Sequence, residues 1–361
     1  MERARHTQSG RGAPGDLRSA GTGGGPAIRS RRAAHRVVRL LFGLLLSWFV
    51  ATAPAYAEAA KVVRVGAYVQ SLHAMSLKDN SFTIDLYLWF RWDPSEWTPS
   101  DGQQPQLPFE TFEIVGASEL EKSVQQQSDG YAALRVKAHL TQFWDVARFP
   151  LDDHVLRVVV EDVASEVNLV RYEADEALSS VAPEFTVPGW KAQPLRVRSA
   201  THDYRTTFGD PKLARDTLST YSQVAFEVPV VREGFGMFLK LFTGLLVSVA
   251  IAFVAFFVRA TEVDPRFGLP VGALFAAIAS EYVVTSTLPD SSAVTLADRL
   301  HLVSFLAILT VVVESARALH LLQSDRPGIE HTVRRLDRAT FVVAATTWLT
   351  TVIVLTVGSA R

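Results

Sequence analysis

The sequence predicts a mixed fold, an N-terminal extracellular all-β sandwich followed by a four-helix transmembrane bundle, and three observations carry that prediction. Apolar and polar residues alternate with a period of two along 61–232, the pattern of half-buried strands. Beyond residue 237 the chain is apolar in blocks, two of which are uncharged for 18 and 22 residues and so long enough to cross a bilayer. The 361 residues include no cysteine. That excludes disulfides, thiol nucleophiles and thiolate metal sites, so the core and assembly must hold the fold.

Residues 1–57 read as a basic tail and signal peptide. Residues 1–39 carry nine Arg against one Glu and one Asp, and the run Gly21–Gly25 holds four glycines, so the segment lacks the apolar periodicity of a folded element. Leu40 to Val50 follow as a short apolar block, preceded by Arg31, Arg32, Arg36 and Arg39 and followed by Ala55-Tyr56-Ala57. A basic segment, a short apolar segment and an A-x-A site describe a secretory signal, with cleavage expected after Ala57. With that segment set aside, the whole-chain charge of −1 becomes −8, all of it within 58–232. Such acidity excludes a nucleic-acid binder, whose affinity rests on surplus Lys and Arg. It leaves cationic partners open.

Residues 58–232 form the expected β-sandwich, on the exported side of the signal peptide. Phe82, Ile84, Leu86, Leu88, Phe90 and Trp92 share one face, as do Leu134, Val136, Ala138 and Leu140, and Val224, Phe226, Val228 and Val230. Turn-forming runs such as Asp93-Pro94-Ser95, Ser128-Asp129-Gly130 and Val187-Pro188-Gly189 punctuate the strands. Many short strands separated by turns mean a sandwich or barrel.

Residues 233–361 form the expected membrane domain, with spans at 241–258, 267–289, 300–319 and 339–360. The second is broken by Glu281 and the third by Glu314 and Arg317, which a span tolerates where polar groups face the bundle or a water-filled path. Four spans starting outside put the loops 259–266 and 320–338 in the cytoplasm. These hold Arg259 and Arg266, and Arg326, Arg334, Arg335 and Arg338, whereas 290–299 has only Arg299, as the positive-inside rule requires.

Ordered motifs along nearly the whole mature chain resemble those of the pentameric ligand-gated ion channels, the Cys-loop receptor superfamily, in their prokaryotic form. Arg148-Phe149-Pro150-Leu151-Asp152 is similar to the Phe-Pro-Phe-Asp core of the signature loop, with Leu151 replacing the second aromatic and no flanking cysteines. Trp92 matches the tryptophan closing the second strand and Arg232 the basic residue ending the last. Thr287-Leu288-Pro289 resembles the end of the second span, Asp298 the aspartate opening the third, Glu314 its terminal glutamate, and Leu336-Asp337-Arg338 the start of the fourth. The resemblance implies a homopentameric channel of the bacterial inner membrane, multi-pass and in contact with lipid, its N-terminal domain periplasmic. It would pass inorganic ions and be gated by an unknown periplasmic ligand, protons or a divalent ion.

Counting back from Pro289, the resemblance puts Asp264, Gly268, Gly272, Phe275, Ala279, Tyr282 and Ser286 along the pore, spaced by fours and threes as one helix face requires. Gly268 and Gly272 depart from the usual hydroxyl residues and Phe275 from an aliphatic gate. The same small residues, with Ala276, would equally suit close helix packing without a pore. Pro270 is a candidate kink. Asp264 stands where cation channels of the family carry an acidic ring, opposed by Arg266 two residues on. Phe275 is the expected gate, and Glu281 is expected to face a neighbouring helix.

The resemblance also implies that Asp152 pairs with Arg232 where the sandwich meets the membrane, with Asp79 as a second acidic partner and Pro150 and Pro289 in the coupling elements. It places Tyr87 on the strand that one subunit brings to a ligand pocket. Tyr172, Tyr204, Phe208 and Tyr221 are placed near the loops of the other, where aromatic faces would hold a cationic amine. No P-loop, HExxH or GxSxG is present, and Gly234-Phe235-Gly236 lacks the third glycine of a dinucleotide turn, so the expectation is no enzyme, no cofactor and no metal. Asp152-Asp153-His154 reads as a solvated turn with an ion pair, because neighbours in a strand alternate faces. His73, His139, His202, His301 and His320 are scattered, and read as structural or as proton sensors. Two other classes stay open: a non-conducting receptor or assembly protein of the same fold, and a membrane-anchored periplasmic enzyme.

Overall fold

The computed structural model describes residues 59–98, 105–207, 209, 211–212, 214, 217–324 and 327–359. The expected signal region 1–57, with Phe208, Arg326 and Ala360, lies outside the described residues. Among the described residues the strands are β1 (Lys61–Ser76), β2 (Ser81–Trp92), β3 (Phe112–Ile114), β4 (Ala117–Ser128), β5 (Tyr131–Thr141), β6 (Asp153–Glu166), β7 (Val170–Ala174), β8 (Ser180–Val181), β9 (Trp190–Ala192), β10 (Arg196–Tyr204) and β11 (Ser219–Arg232). They form two sheets. One has the order β4-β5-β2-β1-β7 with β8 beside β1, and the other β10-β11-β6-β3 with β9 beside β11. β7 and β8 run parallel to β1, and the remaining pairs are antiparallel.

The period-two faces become the core between the sheets. Phe82, Ile84, Leu86, Leu88 and Phe90 are buried on β2, Leu134, Val136, Ala138 and Leu140 on β5, and Val224, Phe226, Val228 and Val230 on β11. Close packing within one sheet depends on Gly66, since a Cβ there would overlap the indole of Trp89 on the neighbouring strand. That indole N–H donates to Asp175 at 3.0 Å, and Arg91 donates to the same carboxylate at 2.6 Å. The β4–β5 turn is Asp129-Gly130, with Gly130 at φ 74°, a conformation that glycine adopts without strain.

Four helices follow: α1 (Gly236–Val254, continued by a short 3₁₀ turn over Ala255–Phe257), α2 (Val263–Thr285), α3 (Leu296–Leu322) and α4 (Ile329–Ser359). All four are long and apolar enough to cross a membrane. The chain is therefore a β-sandwich joined to a multi-pass membrane domain. Each helix begins before the uncharged stretch that announced it, because lack of charge locates the lipid-soluble part of a helix and not its capped ends. The difference is largest for α4, which starts ten residues early and carries Arg334, Arg335 and Arg338 on its first turns rather than in a loop. Pro270 sits inside α2, which runs unbroken from Val263 to Thr285. The α2 helix ends short of 289, as Pro289 disfavours helical backbone at the residue before it. Asp298 has a local role: Thr295 accepts from its N–H, and its carboxylate accepts from the Thr295 N–H, a capping box that starts α3.

α4 is the peripheral helix. Its buried residues are Val333 and Asp337 alone. Phe341 and Trp348 meet Phe253 of α1 edge to face, and the Trp348 indole donates to Ser304 of α3 at 3.2 Å. At one end Asp337 takes both arms of Arg266 from α2, Nη1 at 3.1 Å, and the same Nη1 donates to the Val258 carbonyl at 3.0 Å. Arg266 is 1% exposed and Asp337 4%. Stripping one partner from a buried pair strands the other charge, which costs about 3–5 kcal/mol, whereas replacing both with apolar groups is often neutral. Asp337→Leu is therefore expected to lower the melting temperature of the detergent-purified protein markedly, and Arg266→Leu/Asp337→Leu to recover most of the loss. A double variant as unstable as the single one would contradict this account.

Candidate functional site

The junction between sandwich and bundle gathers a buried cluster of charged and aromatic side chains. β6 starts at Asp153, directly after the loop Arg148-Phe149-Pro150-Leu151-Asp152, whose Phe149–Pro150 peptide is cis. Asp152 is buried and shares its two oxygens. Oδ1 accepts from Arg232, Nη2 at 3.0 Å and Nε at 3.3 Å, and Oδ2 lies 2.6 Å from His154 Nε2. The expected Asp152–Arg232 pair thus forms. Arg232 also stacks 3.9 Å above the Trp190 ring and 5.5 Å from that of Phe149. Burial pushes the Asp152 carboxyl up, but the hydrogen bond from His154 and the charge of Arg232 outweigh it and hold the group below the ordinary carboxylate range. What the ionisation of Asp152 itself contributes to stability is therefore present above the ordinary Asp value of 3.8 and is lost as pH falls through the depressed one.

Two expectations at the junction are corrected. Asp152 and His154 are not a solvated turn: two residues apart in extended chain they point the same way, into the protein, while Asp153 between them faces out and pairs with Arg148 at 3.3 Å. Asp79 does not pair with Arg232. It binds the Ser76 hydroxyl at 2.7 Å inside the β1–β2 turn, because a three-residue reach closes that turn locally. The turn still reaches the site by another route, since the Trp144 indole donates to the Ser76 carbonyl at 3.0 Å. The loop also touches the membrane domain, the Leu296 N–H of α3 donating to the Ala147 carbonyl at 2.9 Å.

Along α2, Arg266, Pro270, Ala273, Ala277 and Val284 are buried, and Asp264, Gly268, Gly272, Phe275, Ala279, Tyr282 and Ser286 are all exposed. At 3.6 residues per turn the two sets are centred roughly 180° apart. The face chosen from sequence is thus the one that a single copy leaves uncovered, with Phe275 68% and Tyr282 77% exposed. Arg266 is corrected: it does not oppose Asp264 at the helix mouth, because its position four residues before Pro270 puts it on the buried face, where Asp337 neutralises it. Asp264 and Glu262 remain exposed there. Glu281 is half-buried, between the two faces.

The aromatic candidates separate. Tyr172 is corrected, being fully buried in the sandwich core beside Phe90, with its hydroxyl donating to the Pro108 carbonyl at 3.1 Å, so it is a core residue and not an aromatic of a surface loop. Tyr204 and Tyr221 lie on the outer face of the β10–β11 sheet, edge to face at 5.6 Å, with His202 against Tyr204 at 4.5 Å. The Tyr204 hydroxyl donates to buried Glu161 at 2.8 Å, and burial followed by that carboxylate push its pKa up to about 12. Tyr87 belongs to the opposite sheet, so one protomer cannot bring it to Tyr204 and Tyr221. A cavity of about 700 Å³ opens at the end of the sandwich far from the junction, lined by Lys61, Trp97, Thr111 and Asp162 among others, and by none of these tyrosines. Among the described residues no group of three His, Asp or Glu is arranged to hold a metal ion. Compared with the known protein families the chain matches none, and no curated protein is similar to it.

Sequence reasoning put His154 in a solvated turn rather than beside Asp152, and passed over Trp144 and Trp190. The i, i+2 spacing of Asp152 and His154 on a strand was the available signal. Arg232→Ala is expected to cost about 3–5 kcal/mol, since it leaves Asp152 buried with His154 as its one remaining side-chain partner. Thermal melts of the purified protein at pH 7 measure it, and an unchanged melting temperature would deny the pair its structural role.

Proposed function

We propose that the chain is the subunit of a homopentameric, cation-selective ion channel of the bacterial inner membrane, its sandwich periplasmic and its opening controlled by a periplasmic ligand or protons. The observation that carries this reading is the uncovered face of α2. A helix that only met lipid would present large apolar side chains throughout, yet between and around Phe275 and Tyr282 this face carries Gly268, Gly272, Ala279 and Ser286, with Asp264 at one end. Five copies turned inward would make of it a wet path with an acidic ring at the mouth.

Phe275 and Tyr282, the two bulky side chains on the face, lie about 10 Å apart along the axis at 1.5 Å per residue. Five Phe275 rings would form a poorly hydrated constriction that stops ions by dewetting, while the Tyr282 hydroxyls would hold water. Selectivity for cations follows from Asp264 and Glu262 standing exposed with Arg266 withdrawn, and from the −8 on each sandwich. Aromatic groups on opposite sheets, Tyr87 on one and Tyr204 and Tyr221 on the other, would meet only between neighbouring subunits. Nothing in this reading asks for a catalytic step.

The same small residues also support a second reading, a non-conducting receptor in which Gly268, Gly272 and Ala276 allow helices to pack closely. Reconstitution separates the two. Purified protein in liposomes is expected to carry current whose reversal potential follows the cation gradient, and Phe275→Ala to leak at rest. Glu281→Gln is expected to leave permeation intact. A ring other than five in cryo-EM, or a reversal potential that follows chloride, would overturn the proposal.

A further inference from the structure

We infer that His154 is a proton-binding site that regulates the junction: when protonated it competes with Arg232 for Asp152 and loosens the last strand from the signature loop. The effect on ion flow rests on the channel reading, but proton binding and the competition do not.

The geometry supports each step. The His154 side chain is 3% exposed, and its ring lies between those of Trp144 and Trp190, 5.1 Å from each centroid. Its partner across the sheet, Val230, is apolar and buried. The charged groups facing it are Asp152 from its own segment and, on the other oxygen of Asp152, Arg232 from β11. Nearby ionisable groups are otherwise engaged or turned outward: Asp153 pairs with Arg148, Asp79 binds Ser76, and Asp145 and Lys191 are exposed. With His154 neutral, Asp152 and Arg232 cancel and the cluster carries no net charge. A proton on the imidazole leaves one positive charge in excess inside a buried space, and Asp152 then has two cations to serve.

Trp190 makes the competition sharper, since one face of the cluster presents the same ring to Arg232 at 3.9 Å and to His154. Two cations drawn to one indole repel each other, and Arg232, whose side chain is 10% exposed against 3% for His154, is the one nearer to solvent and so the one to yield. Arg232 ends β11 four residues before α1, and Ala147 of the same loop holds the start of α3. Loosening here therefore reaches two of the four helices. Asp152 itself stays ionised at neutral and mildly acidic pH because its value is depressed, so a proton taken up by the cluster in that range is not one on the carboxylate.

The flanking indoles report the event, because protonated imidazole quenches tryptophan fluorescence. Full-length protein in detergent, titrated between about pH 8 and 5, should show a one-proton quench that is absent in His154→Gln and kept in His139→Gln. If His154→Gln does not fold, Trp144→Phe and Trp190→Phe in the otherwise wild-type chain should each shrink the step. A flat wild-type titration, or a step that survives without His154 or without both indoles, overturns the site. The competition is read from melting temperatures: the loss caused by Arg232→Gln should be at most half as large at about pH 5 as at about pH 8. In His154→Gln that loss should be equal at both, and a pH-independent loss in the wild type overturns the regulatory step. Protein that never conducts but passes both tests would refute the channel reading alone.

Discussion

A carboxylate has two oxygens, and the join between the halves of this protein depends on how Asp152 divides them. One goes to Arg232, whose strand continues into the first helix, and the other to His154, whose strand leads into the middle of the sandwich. Burial of that carboxylate is tolerable only because both partners are present. The aromatic residues around it follow from the same constraint. Trp144, Phe149 and Trp190 exclude water from the cluster while packing against the Arg232 guanidinium and the His154 ring, so the site is dry without being apolar.

The membrane domain solves a related problem at its other end. Arg266 lies on the inward side of α2, where an unpaired guanidinium would be intolerable, and α4 supplies Asp337 to meet it. The consequence for chemistry is a separation of charge by helix face. The positive group is spent inside the bundle, and Asp264 and Glu262 are left on the open side. Neither ion pair can be deduced from the residues of one helix alone, since each joins segments 71 to 80 residues apart.

Much of the architecture was legible in the sequence for a simple physical reason: a sheet with one dry face writes a period of two, and a membrane span writes an absence of charge. Phe82 to Trp92 and Ala339 to Gly358 are plain on those grounds. Helix ends were not legible, because caps such as Thr295–Asp298 and the basic first turns of α4 lie outside the apolar signal. Within the site, Asp152 and Arg232 were found by position in a resemblance, whereas Tyr172 was misplaced. Its aromatic ring suits a ligand pocket and a core equally well, and only the buried donor–acceptor contact with Pro108 decides between them. His154 was missed because it was read with its neighbour Asp153, although strand geometry pairs it with the residue two before.

The fourth helix has a further consequence through its length. Its 31 residues extend about 46 Å at 1.5 Å per residue, well beyond the ~30 Å of hydrocarbon in a bilayer. The uncharged part from Ala339 onward matches that thickness, which sets Arg334, Arg335 and Arg338 at the headgroups and Asp337 at the same depth. A helix with so little of itself buried is free to follow the lipid. When the bilayer thins or thickens, α4 must tilt or slide to keep its arginines wet, and Asp337 transmits that movement to the foot of α2 through a single guanidinium. The outermost helix is in this sense a thickness gauge, tied to α2 through that pair.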